Sequence, residues 1–179
     1  VTVVQSATPP SPPFQVMTTP SVTGARFAGV SAVSPTDIFA VGDQGSGPSP
    51  LVENFNGTSW SVLATPTPAG STFSELNAVS ALSSTDVWAV GESSAGPLVE
   101  FFNGKSWSIQ ATPSGGGVLN SVTALSPTNV WAVGSTSLGS GSGYLIEHFD
   151  GTSWSISFST SANRALSLIH ISEPTRQAE

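Results

Sequence analysis

The chain has no cysteine. Disulfides, thiolate metal sites and a cysteine nucleophile are therefore excluded. Charge is nearly as scarce: 8% of the 179 residues are charged, against about a quarter in an ordinary globular chain. Four Lys or Arg stand against eleven Asp or Glu, for a net charge of −7. Basic residues are too few to form the patch that a nucleic acid or an anionic membrane surface requires, so neither is expected as a partner. Apolar runs of bilayer-spanning length are also missing, and membrane insertion is not expected. Val1 to Pro13 is Pro-rich and lacks the basic start and apolar core of a signal peptide. With no initiator Met, the chain is expected to be a mature form or a fragment. What is plentiful is Gly (18), Pro (14), Ser and Thr. That composition fits a turn-rich all-β chain or a disordered one, and the regular Val, Phe and Trp positions favour the folded alternative. It also points to an exported bacterial protein at the cell surface or outside the cell.

Three copies of one pattern fill most of the chain. Val30 to Gly42 reads VSAVSPTDIFAVG, Val79 to Gly91 reads VSALSSTDVWAVG, and Val122 to Gly134 reads VTALSPTNVWAVG. Each leads to a turn and a tryptophan: FNGTSW, FNGKSW and FDGTSW, ending at Trp60, Trp107 and Trp154, which stand 47 positions apart. A period in the forties made of short β-like runs is the mark of propeller blades. In the second copy, strands are expected at Leu76 to Ser83, Asp86 to Gly91, Pro97 to Phe102 and Ser106 to Thr112. Ser84, Thr85 and Asp86 make the first turn, with side chains suited to nearby backbone N–H groups. Asn103-Gly104 is expected to supply the φ > 0 residues of a tight hairpin. The fold class is thus all-β, an incomplete β-propeller of four-stranded antiparallel blades with about 47 residues per repeat. Stacked blades bury both sheet faces, which accounts for the scarcity of charge. Phe39, Trp88 and Trp131 share one repeat position and Trp60, Trp107 and Trp154 another; both sets are expected to pack blade against blade.

The expected divisions are 1–26 as the end of a preceding blade plus a Pro-rich connector, then blades at 27–72, 73–117 and 118–160, then a tail at 161–179. FQVMTTP from Phe14 matches WSVLATP from Trp60, so it reads as the last strand of a preceding blade. Leu166 to Arg176 reads LSLIHISEPTR, which resembles a translated sequencing adapter, so 166–179 is expected to be non-native. Three blades and a strand do not close a ring of the usual four to eight or so blades. Either blades are missing from the chain or copies must associate to complete the ring.

The repeats resemble the WAVG-type repeats of secreted bacterial β-propeller proteins, in the wider group that holds kelch and Asp-box propellers. The resemblance covers about Phe14 to Thr160 and rests on DVWAVG at Asp86 to Gly91 and NGKSW at Asn103 to Trp107. The kelch double glycine is absent, and Asn56, Asn103 and Asp150 directly precede their glycines, where the Asp box places its acid two residues earlier. The resemblance implies a fold and little about activity.

In an antiparallel blade the first and third turns share one face of the ring, and the second and fourth connections share the other. The first and third keep constant length here. The second varies: DQGSGPSP from Asp43, ESSAGP from Glu92, STSLGSGSG from Ser135. The fourth also differs between TPAGS from Thr67 and SGGG from Ser114. Variable loops on a rigid scaffold usually carry binding. Asp43, Gln44, Glu92 and Tyr144 are the ligand-binding candidates on that face.

Glu53, Glu100 and Glu147 recur on the third strand, where a repeated hydrogen bond to backbone or hydroxyl is preferred over a Ca²⁺ ring. Asp37, Asp86 and Asn129 read as turn formers, and His148 as an exposed strand residue. No catalytic residue, metal ligand or cofactor site is assigned. Arginines and tyrosine are too sparse for a sialidase-like centre, and histidines for a copper-radical one. The Asn56-Gly57-Thr58 sequon is explained by its turn. The expected function is a non-enzymatic extracellular scaffold that binds a glycan or a protein. A non-catalytic part of a larger secreted hydrolase or lyase, and a purely structural surface repeat, are the alternatives.

Overall fold

A computed structural model describes residues 17–45, 49–113, 115–138 and 141–159. Twelve strands fall into three sheets of four, each a meander of sequential antiparallel neighbours. Blade 1 holds β1 (Ala25–Ser34), β2 (Asp37–Gln44), β3 (Ser49–Phe55) and β4 (Trp60–Leu63). Blade 2 holds β5 (Ser74–Ser83), β6 (Asp86–Ser93), β7 (Gly96–Phe102) and β8 (Trp107–Ile109). Blade 3 holds β9 (Val118–Ser126), β10 (Asn129–Leu138), β11 (Gly141–Phe149) and β12 (Trp154–Ser159). The chain is all-β, three blades of an incomplete propeller. Among the described residues no helix is long and apolar enough to cross a membrane. The strand read from FQVMTTP starts, and the adapter-like tail lies, outside the described residues.

Blades stack through repeated faces. Phe39, Val41 and Val52 of blade 1 meet Val87, Ala89, Leu98, Phe102 and Trp107 of blade 2. Trp88, Val90 and Val99 of blade 2 meet Val130, Ala132, Leu145 and Trp154 of blade 3 in the same arrangement. The first strands are also bridged directly. Ser31 Oγ accepts from Ala81 N at 3.1 Å, and its counterpart Ser80 Oγ accepts from Ala124 N at 3.0 Å. Each first strand carries a one-residue bulge at Ala28, Asn77 or Asn120. A Cβ on Gly91 would overlap the Glu75 carbonyl oxygen across the β5–β6 pair, so this strand position admits only glycine.

Four local expectations need correction. The Asn-Gly turns are not hairpins with two left-handed residues, because only the glycine has positive φ, 89° at Gly104. Asn103 instead uses its Oδ1 to accept from Lys105 N at 2.9 Å and Ser106 N at 3.0 Å. Asn56 and Asp150 do the same in their own turns. The acid at the start of the second strand does not hold the first turn; a serine does, as Ser83 Oγ accepts from Thr85 N at 3.2 Å. Asp86 accepts from Trp88 Nε1 at 2.9 Å, Asn129 from Trp131 Nε1 at 2.8 Å, and Asp37 from Asn54 Nδ2 at 2.8 Å. These three polar groups orient the side chains of the blade face.

His148 is half-buried rather than exposed. Its ring stacks on Trp131 with centroids 4.2 Å apart, and its Nε2 lies 3.0 Å from Asn129 Oδ1. Glu53 and Glu100 do not follow the expected repeated hydrogen bond. Glu53 and Glu100 are buried, and neither carboxyl oxygen of either has a partner among the described residues. Glu100 points into the blade 1–blade 2 core beside Leu98 and Phe102, on the same strand face. Burial pushes its pKa up to about 8, so the acid is held neutral near pH 7.

Candidate functional site

The face carrying the second and fourth connections is built by the ends of β2 and β6 and the starts of β1, β5 and β9. Asp43 and Glu92 lie within strands here, not in loops. Asp43 is 5% exposed and sits opposite Arg26 in the β1–β2 pair. Arg26 Nε donates to Asp43 Oδ1 at 3.1 Å, while its Nη2 lies 3.7 Å from Glu75 Oε2 of blade 2. Glu75 in turn faces Glu92 across the β5–β6 ladder. The pKa of Glu92 is raised, first by burial and then by the negative charge of Glu75 and a hydrogen bond shared with it. One guanidinium therefore meets two carboxyl groups, Asp43 of its own blade and Glu75 of the next, and Glu92 joins the cluster through Glu75. The excess of acid leaves this patch suited to hydroxyls, amines and guanidinium groups, and hostile to phosphate or sulfate.

Beside this cluster lies a cavity of about 330 Å³. Phe73, Glu92, Ser93 and Ser94 of blade 2 line it, with Gly116 and Gly117 ahead of β9 opposite. Its rim is tied together. Ser71 and Ser94 hydroxyls lie 2.9 Å apart, Ser94 Oγ accepts from Thr72 N at 2.9 Å, and Ser93 Oγ donates to Gly96 O at 3.1 Å. The fourth connection of blade 1 and the second of blade 2 are thus one hydrogen-bonded unit. A rim segment held in this way loses little conformational entropy when a ligand arrives.

Of the four candidates, Asp43 and Glu92 are brought together through Arg26 and Glu75. Gln44 is half-buried at the end of β2, opposite Ala25 and Ser49. Tyr144 is not part of the cluster. It is 70% exposed on β11, bordering a separate cavity with Asn120, Val133 and Ile146 on the outer side of blade 3. Sequence reasoning missed Arg26, Glu75 and Phe73. Arg26 carried a usable signal as one of four basic residues. Glu75 lay outside the repeated motif, and only strand register reveals that it opposes Glu92.

The aromatic positions divide by place in the stack. Phe39, Trp88, Trp107 and Trp154 are buried between blades, whereas Trp60 and Trp131 are half-buried at its two ends. Among the described residues no three His, Asp or Glu side chains converge as metal ligands. Glu53, Glu100 and Glu147 sit on separate blades, away from the loop face.

No family model and no curated protein matches the sequence. Among solved structures, the chain is similar to YCF48 from Cyanidioschyzon merolae, with a TM-score of 0.53 and 20% identity. The match covers 76% of this chain and 41% of that one. The likeness is one of fold: the blades are propeller blades. The chain spans less than half the length of this neighbour.

Proposed function

We propose that this chain is a binding module of an extracellular bacterial propeller protein of the WAVG-repeat type, and that its loop face takes a neutral glycan. The observation that carries the reading is the cavity that Glu92 and Phe73 line together with Ser93 and Ser94. Sugar rings offer hydroxyls to a carboxyl group and an apolar face to an aromatic ring. The surrounding acids disfavour sulfated or phosphorylated glycans. The low charge and abundance of Ser, Thr and Gly support the extracellular placement. A basic protein segment is the second reading, favoured by the excess of Asp43, Glu75 and Glu92 over Arg26.

Calorimetric titration of the chain with neutral oligosaccharides, anionic oligosaccharides and a Lys/Arg peptide separates these readings. The glycan reading expects heat with a neutral sugar and a loss of about tenfold or more in affinity on Phe73→Ala, or about 1.4 kcal/mol. Binding of the peptide alone supports the second reading. Silence with all three supports a structural repeat.

A further inference from the structure

Blade 1 departs from the other two blades at one polar junction. Asp37, Asp86 and Asn129 open the second strand of each blade. Asp86 accepts from Trp88 Nε1 at 2.9 Å, and Asn129 from Trp131 Nε1 at 2.8 Å. Asn129 Oδ1 also lies 3.0 Å from His148 Nε2, so it meets an indole and a third-strand side chain together. Asp37 keeps the third-strand partner: Asn54, equivalent to His148, donates from Nδ2 at 2.8 Å. The indole is replaced by Phe39, which has no N–H to give. A carboxylate offers about four lone-pair positions, so Asp37 has acceptor capacity left for the donor that blades 2 and 3 supply.

The smaller ring also stops short of the next blade. The Trp88 centroid sits 4.9 Å from Phe149 and 5.7 Å from Trp154. The Phe39 centroid sits 5.8 Å from Phe102 and 6.5 Å from Trp107, the equivalent residues. At this junction lies a cavity of about 380 Å³, lined by Asp37, Phe39, Asn54 and Leu63 of blade 1 and by Phe102 and Gly104 of blade 2. That volume falls in the range of small-molecule sites, about 300–1,000 Å³. The cavity opens among the constant turns, on the opposite side from the Phe73 cavity. Its walls combine aromatic and aliphatic side chains with an acceptor.

We infer that this cavity binds an indole-type ring, a flat bicyclic aromatic with one N–H. The ring packs beside Phe39 against Leu63 and Phe102, and its N–H donates to Asp37, as Trp88 and Trp131 donate in their own blades. Two aromatic faces with an acceptor at the ring edge suit an indole because its body is apolar and its one polar atom is a donor. Free indole and a tryptophan side chain share this chemistry. The inferred site differs from the glycan site in place and in ligand class, so it survives the failure of that reading.

Amide NMR of the full chain titrated with indole, N-acetyltryptophanamide and benzofuran provides the test. Indole should shift the signals of Asp37, Asn54 and Gly104 and leave those of Phe73 and Ser94 in place. A response to N-acetyltryptophanamide as well assigns the site to tryptophan side chains; a response to indole alone assigns it to a free small molecule. Benzofuran keeps the ring shape but lacks the N–H, and should bind about tenfold or more weakly, as expected when a charged acceptor loses its donor. Phe39→Trp supplies ring and donor from within, and should abolish indole binding while the far-ultraviolet dichroism stays unchanged. Asp37→Ala should bring indole down to the level of benzofuran, and decides the matter should Phe39→Trp not fold. No shift with millimolar indole, shifts confined to other residues, equal binding of benzofuran, or undiminished binding by folded Phe39→Trp would each overturn the inference.

Discussion

Glu100 shows how one side chain can read one way in sequence and behave another way in the fold. A carboxyl on a strand covered on both faces asks for a hydrogen-bond partner, because burying an unpaired charge is costly. The fold offers none among the described residues, and the acid offsets the cost by keeping its proton, with a pKa of about 8 against an ordinary 4.5. Between about 4.5 and 8 the folded state therefore holds a proton that the unfolded chain has released. Stability falls as pH rises through that window and levels off above it. Glu100→Gln should remove a decline of a few kcal/mol between pH 5 and pH 8.5, read as urea midpoints at the two pH values. Glu53, also raised by burial, leaves a smaller slope in the variant. An unchanged slope would mean that Glu100 ionises in place. Asp37, Asp86 and Asn129 at the second-strand starts were legible as polar positions. Their role was not, because it depends on a tryptophan two residues on or a side chain of the third strand turning back to reach them.

At the level of the element, the repeat pattern was legible because period, turn residues and apolar positions all agree. Strand limits in blade 2 fall within a few residues of expectation except for β8, which stops at Ile109. Edge strands β4 and β8 are short, four and three residues, which limits pairing with other chains. The third turn depends on one side chain accepting two backbone N–H groups. Asn103→Ala should cost about 1 kcal/mol, since the released N–H groups are exposed and water replaces the amide oxygen. Thermal or chemical denaturation checks this, and a loss several times larger would show that the turn nucleates the blade. The ionic cluster was illegible for a reason at this same scale. Arg26 and Asp43 oppose each other, and Glu75 and Glu92 likewise, only once the strand registers are known.

Over the whole molecule, equivalent blade faces stack to produce the core. That repetition was legible in the evenly spaced tryptophans, but which residues pack across each blade pair required the stacking order. The same stacking sends the constant turns to one side and the variable connections to the other. Placing function on the variable side is the central claim, and one comparison tests it most directly. The neutral glycan that binds best is titrated into wild type, Glu92→Gln on the variable side, and Lys105→Ala in the exposed third turn on the opposite side. The account predicts about a tenfold or greater loss for Glu92→Gln, or about 1.4 kcal/mol, and no change for Lys105→Ala. Loss with Lys105→Ala and none with Glu92→Gln would place binding on the other side and contradict it.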